Sequence, residues 1–243
     1  MTKQRKTDHL KICLEKKVKT GSTGFNDYHF THQALPEINF DEIDLSCQFL
    51  KRKLNYPLLI SSMTGGTIEA KTINLNLAKT AQKLKIPIII KETGCGISQK
   101  TALSLLDIGI KIIDVSGHGG TNWALIEGLR NKKRNKLEKV FSDWGIPTTE
   151  AIIECSQIKE LTIIGSGGIR TGIDMAKALV LGADIIGIAL PLLQPATKSA
   201  KAVEEKIKSL IEELKITMFC LGVKNIKELK SLGLSAFYQT PTR

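Results

Sequence analysis

The sequence predicts an α/β fold of parallel strands, and three features predict it. Short, nearly unbroken apolar runs recur along the chain. Each ends in a glycine-rich or small polar loop, and each loop leads into a helical pattern. Parallel strands covered on both faces read as continuous apolar runs of this kind. In closed barrels and in doubly wound sheets alike, ligands bind beyond the C-terminal ends of such strands. The pattern by itself leaves both architectures open.

The elements follow in order. Residues 1–56 read as an extension laid over the domain, with one short helix from Leu10 to Val18 broken by Gly21 and Gly24. From Pro57 to Ser61 an apolar run predicts the first core strand. The loop Thr64-Gly65-Gly66-Thr67 follows, and then apolar residues from Ile73 to Leu84 at mostly helical spacing. The unit recurs at Pro87–Ile90, with a helix from about Thr101, and at Ile110–Val115, with Gly117, Gly119 and Gly120 behind it. It recurs again at Leu161–Ile164, with a helix around Asp174–Leu181. The last is Asp184–Ile188, with a long charged helix over Ala196–Leu214. That makes five strand–helix units.

Composition bounds the function. The 243 residues are 42% hydrophobic and 24% charged, which suits a globular core. The net charge of +11 is spread along the chain. Only Lys132, Lys133 and Arg134 form a tight interior run, aromatics are few, and no nucleic-acid-binding signature is present. Five scattered cysteines without a C-x-x-C pair argue against a disulfide framework or structural zinc, and fit a reducing compartment. The charged N-terminus lacks the apolar region of a secretory signal, and no apolar run is long enough to span a bilayer. The expectation is a soluble cytoplasmic protein.

Gly165-Ser166-Gly167-Gly168-Ile169-Arg170-Thr171-Gly172 lies between a strand and a helix. Glycines let backbone approach an anion, which free N–H groups and a helix N-terminus then hold. The next strand ends in Gly187-Ile188-Ala189-Leu190. Two such consecutive loops form the usual phosphate site of a barrel. The plainer reading is a tight strand–helix turn. The register is neither a dinucleotide fingerprint nor a P-loop.

Several loops together carry a resemblance. These are Arg5-Lys6-Thr7-Asp8-His9, Thr23-Gly24-Phe25, His32-x-Ala34-Leu35-Pro36-Glu37 and Ser62-Met63-Thr64-Gly65-Gly66-Thr67. Further along come Lys91-Glu92-Thr93-Gly94-Cys95-Gly96-Ile97-Ser98, Asp114 to Trp123, Asp143-Trp144-Gly145-Ile146-Pro147-Thr148, and the glycine cradle. In this order they resemble the type 2, FMN-dependent isopentenyl-diphosphate isomerases. The resemblance implies a TIM (β/α)8-barrel that binds FMN. It implies interconversion of isopentenyl and dimethylallyl diphosphate by an allylic proton shift, the flavin being first reduced by NADPH and Mg²⁺ helping to hold the diphosphate. A homo-oligomer is the expected assembly.

The same resemblance assigns roles. Arg5 and Lys6 would hold the substrate diphosphate, although a basic solvated terminus reads alike. Met63, Thr64 and Gly65 would lie against the flavin, or form a tight turn with a core Met. Lys91 would face the electron-rich edge of reduced FMN, or snorkel at the strand rim. Ser116 and Thr121 would supply hydroxyls to flavin or phosphate, or cap their loop. Gly167, Gly168, Ile169, Ala189 and Leu190 would take the FMN phosphate. Trp123 reads by default as a core aromatic and His118 as a loop residue; Asp143 and Trp144 close the site or pack a helix start.

Between Ile86 and Pro87 the family carries three further strand–helix units, roughly 90 residues at about 30 each. No residue here matches the metal-binding Glu and its Gln neighbour, so no metal ligand is assigned. The domain over 57–243 is therefore an incomplete barrel. Lost units leave two raw sheet edges, with Leu59 and Ile89 expected to face water and turnover expected to suffer. Two other readings stay open: an FMN-dependent oxidoreductase of the 2-hydroxy-acid oxidase kind, and a non-catalytic flavin-binding or scaffold protein.

Overall fold

A computed structural model describes residues 2–61, 68–84, 88–89, 94–131 and 140–238. Met63, Thr64, Gly65, Lys91, the basic run 132–134 and the Ile86–Pro87 junction lie outside them. The strands are β1 (His29–Phe30), β2 (Cys47–Phe49), β3 (Arg52–Leu54), β4 (Leu58–Ser61), β5 (Ile88–Ile89), β6 (Ile112–Asp114), β7 (Thr162–Ser166), β8 (Ile185–Ile188) and β9 (Phe237–Tyr238). β4 to β8 form one parallel sheet in the order β5-β4-β8-β7-β6.

Two-residue periodicity splits this sheet into two faces. Leu58, Ile60, Ile113, Ile163, Ile186 and Ile188 join the large core beneath the helices. Leu59, Ile164 and Ile185 form a second cluster on the opposite face, under Phe49 and Leu54 of the β2–β3 hairpin. Leu59 is fully buried. The expectation that it faces water is thus wrong, because the hairpin in the N-terminal extension covers that face of the arc. The hairpin turns through Leu50 (φ 49°) and Lys51 (φ 61°), left-handed positions that usually call for glycine or asparagine. Exposed apolar side chains gather instead along edge strand β6 and the helix before it, at Leu103, Ile108, Ile110 and Ile112.

The helices differ from the sequence reading in several places. The first spans Thr2–Glu15, not 10–18. Its residues are good helix formers, and Gln4 donates to Asp8 one turn on (2.8 Å). Val18 instead lies beyond the helix end, its carbonyl accepting from the Asn122 N–H. The long helix expected over 196–214 is two, Leu190–Lys198 and Ala200–Cys220. Ser199 breaks it, with extended backbone and a hydroxyl that caps the second piece by accepting from the Ala202 N–H. Helices Trp123–Arg130 and Thr148–Ser156 were not foreseen. Residues of the first 56 are tied in at two places: helix Thr2–Glu15 packs on Trp123–Arg130, and β1 pairs antiparallel with β9.

Candidate functional site

The loops after β6 and β7 meet at the C-terminal end of the sheet, and glycine is what lets them touch. A Cβ on Gly167 would lie 2.3 Å from the Gly117 carbonyl oxygen, and one on Gly117 would lie 2.2 Å from the Thr148 Cα. Gly167 and Gly168 also have positive φ (108° and 70°). Behind them sits the N-terminal motif: a Cβ on Gly119 would strike the Thr23 nitrogen, and one on Gly168 the Thr23 methyl. Close packing therefore demands these glycines whether or not an anion is bound. Gly120 differs. A Cβ there would lie 2.6 Å from the Gly168 nitrogen and would cover it.

The backbone donors divide sharply. The N–H groups of Arg170 and Thr171 go to Asp174, that of Gly172 goes to Glu213 (2.7 Å), and Thr171 and Asp174 form a capping box. The helix N-terminus expected to serve an anion is thus filled by the chain's own carboxylates. Among the described residues the N–H groups of Gly168 and Ile169 have no acceptor. Helix Leu190–Lys198, after β8, has no side-chain cap at Ala189, which leaves a helix N-terminus with its positive dipole end available. Arg170 lies half-buried beside these donors. One of its guanidinium nitrogens is buried without a partner among the described residues. Burial pulls its pKa below the ordinary value, against the pull of Asp174, and it remains a cation. Arg170 stands inside the cradle in the sequence, but only burial and the unpaired nitrogen mark it as a candidate.

Below the loops, the strand face inside the arc turns polar. Ser166 pairs in register with Gly187, and a Cβ on Gly187 would lie 2.9 Å from the Ser61 hydroxyl. Ser61 is buried with no hydrogen-bond partner among the described residues, and Ser166 donates to Asp114. Ser116 (φ 43°) is buried; Thr121 is half-buried, and both flank Gly94. Apolar strand residues thus give way to hydroxyls where a polar ligand would enter.

Arg5 and Lys6 lie elsewhere, on the helix Thr2–Glu15. Arg5 reaches Glu127 (3.4 Å), and His9 Nε2 meets the same carboxylate (2.9 Å). Arg130 grips it with two nitrogens. The hydrogen bond from Arg130, then that from His9 and the charge of Arg5, hold the Glu127 carboxyl at about 2 against its burial. Arg5 is therefore anchored, while Lys6 is exposed. Trp123 is half-buried, not a core residue, and its ring lies 5.5 Å from that of His9. His118 is buried with Nε2 3.3 Å from the exposed carboxylate of Asp143. Trp144 is 70% exposed. Among the described residues no three His, Cys, Asp or Glu side chains group as a metal site. Burial pushes the thiols of Cys13, Cys47 and Cys155 up to about 11, so none of the three is a ready thiolate.

Parallel strands with a polar, donor-rich C-terminal rim define a ligand-binding α/β class, and comparison narrows it to the flavin barrels. Residues 87–236 match the profile described as FMN-dependent dehydrogenase. Among solved structures, the flavin-binding domain of baker's yeast flavocytochrome b2 superposes with a TM-score of 0.62 at 16% identity, over 96% of this chain and 86% of that one. A lactate oxidase from Pediococcus acidilactici gives 0.60 at 18%, over 92% and 85%. These share the TIM-barrel fold, of which this chain forms a part. Isopentenyl-diphosphate delta-isomerase of Rickettsia bellii is 34% identical over 331 residues, covering 95% of this chain and 97% of that protein. The enzyme of the same name from a Nostoc species is 35% identical over 333 residues, covering 96% and 95%. The chain belongs to the FMN-dependent enzymes and, among them, to the isopentenyl-diphosphate delta-isomerase family. An alignment of 331 positions exceeds the 243 residues present, so the relatives carry residues that this chain lacks.

Proposed function

We propose that the chain binds FMN, its phosphate on the loop Gly167–Ile169 and at Ala189–Leu190, and serves the interconversion of isopentenyl and dimethylallyl diphosphate. One observation supports this above others: among the described residues the N–H groups of Gly168 and Ile169 stand without acceptors, next to Gly120, which has no side chain, and to the half-buried Arg170, whose Nη2 has no partner there while Nη1 donates to the Ile169 carbonyl. Donors of this kind, fixed before the ligand arrives, suit a phosphate. When bound and reduced, FMN supplies the centre at which the allylic proton is handled. The chain's own groups bind and orient. Ser116 and Thr121 offer hydroxyls at the rim of the flavin site, and Arg5, held by Glu127, and the exposed Lys6 offer charge to the diphosphate. Met63, Thr64, Gly65 and Lys91 are assigned to the flavin from sequence alone.

In this reading residues 1–56 form an extension over an incomplete barrel at 57–243, NADPH is the reductant, and the assembly is a cytoplasmic homo-oligomer. No helix among the described residues is long and apolar enough to cross a membrane. The described residues do not fit a Mg²⁺ site. The rival 2-hydroxy-acid oxidase reading needs a catalytic His late in the chain, and His118, the one His after residue 32, is turned to Asp143. The test is titration of the purified chain with FMN and with riboflavin, which lacks the phosphate. The reading expects FMN to bind at least about tenfold more tightly, one good charge-assisted contact. Equal affinity would remove the phosphate site.

A further inference from the structure

The structure assigns a positioning role to Thr148: we propose that its hydroxyl aims the Gly168 N–H at the FMN phosphate, an inference that rests on the flavin reading above. Thr148 is fully buried where three segments meet. Its Oγ1 lies 2.7 Å from the Gly167 carbonyl oxygen and 3.1 Å from that of His118. A hydroxyl has one proton to give, and the shorter contact directs it to Gly167. In a planar trans peptide the carbonyl and the following N–H point in opposite directions. Fixing the Gly167 carbonyl on Thr148 therefore turns the Gly168 N–H the other way, to the side that Gly120 leaves bare.

Without that hydroxyl, packing on Gly117 and Gly119 still confines this peptide, but among the described residues no other hydrogen bond fixes the direction of the Gly167 carbonyl. Gly167 and Gly168 are both glycine with positive φ, so a flip of the unit between them meets no Cβ barrier. A flipped peptide would present its carbonyl oxygen to the anion where the donor had been. Thr148 also touches the β6 loop through His118, so one side chain registers both ligand loops. The residue opens the helix Thr148–Ser156. Its backbone reason for being there, helix initiation, is separate from what its hydroxyl does.

The experiment measures affinity for FMN and for riboflavin by flavin fluorescence in the wild-type chain, Thr148→Val and Thr148→Ser. Valine keeps the shape and removes the donor; serine keeps the donor. Thr148→Val is expected to weaken FMN about tenfold and leave riboflavin within about twofold, so that the preference for FMN disappears. Thr148→Ser is expected to keep that preference. If the wild type prefers FMN and Thr148→Val prefers it equally, the positioning role is wrong while the phosphate site stands. If Thr148→Val loses both flavins in parallel, Thr148 is merely structural and the inference is overturned. If the wild type shows no preference, the flavin-phosphate reading fails first and this inference with it. Should Thr148→Val not fold, Thr148→Ala is held to the same outcomes.

Discussion

Glu127→Gln removes the charge that ties the N-terminal helix to the loop helix Trp123–Arg130. Four contacts converge on this carboxylate: two from Arg130, one from His9 and one from Arg5. Hydrogen bonds to shielded charges contribute ~1.5–3 kcal/mol, exposed ion pairs ~0–1. With the Glu127 side chain 20% exposed, the set falls between these, at about 2 kcal/mol. In a chain of this length each 1 kcal/mol moves Tm by about 2–4 °C, so the variant should melt about 4–8 °C lower at neutral pH. The folded carboxyl titrates at about 2, below its ordinary 4.5. Its contribution is therefore complete above about 4.5 and fades as pH falls toward 2. Differential scanning fluorimetry of both proteins from pH 7 down to the acid limit of folding reads this directly. The gap should stay constant to about pH 5 and narrow below it. A variant melting within about 1 °C of wild type at pH 7, or a gap that widens on acidification, would refute the reasoning.

Three further outcomes follow from the geometry. Gly120→Ala sets a methyl 2.6 Å from the Gly168 nitrogen without requiring a left-handed backbone; FMN affinity should fall at least about tenfold with riboflavin little changed, as flavin titration would show. Lys51→Gly relieves a left-handed turn residue (φ 61°) and should raise unfolding free energy in urea by about 0.5–1 kcal/mol, less than the ~1–2 kcal/mol of relieved strain because glycine costs more entropy to order. In a chain with the relatives' internal segment inserted, Arg5→Ala should raise the KM for isopentenyl diphosphate and leave FMN affinity unchanged; loss of FMN with an unchanged KM would place Arg5 at the flavin instead.

The β/α alternation was legible because each core strand is a continuous apolar run closed by small residues: β4, β6 and β8 form inside the expected stretches, and β7 runs two residues past its own, to Ser166. Helix limits were less legible. Ser199 is one cap in a charged stretch with no change of composition, and only its extended backbone shows the break. The hairpin over Leu59 was hidden because Leu50-Lys51 is not a turn-forming pair by composition. At the site, the glycines announced a close approach but not to what. The structure divides them into those packed on Thr23, Gly117 and Thr148, and Gly120, which leaves a donor uncovered. Which N–H groups are free depends on Asp174 and Glu213, and Glu213 lies 41 residues from the loop it caps. Separation of that kind is invisible to a local motif. Thr148 and Arg170 stood inside quoted motifs, yet their roles come from burial and hydrogen bonding that a sequence does not display.

The most direct test of the whole account compares isomerisation by two proteins, the 243-residue chain and the same chain with the relatives' internal segment inserted. Each is supplied with FMN, NADPH and Mg²⁺ without oxygen, and dimethylallyl diphosphate is measured. The account predicts that both bind FMN and that only the extended chain turns over well, the short one slower by about a hundredfold or more, the scale of a lost electrostatic clamp. Comparable rates from the two chains, or an extended chain that holds FMN and makes no dimethylallyl diphosphate, would contradict it.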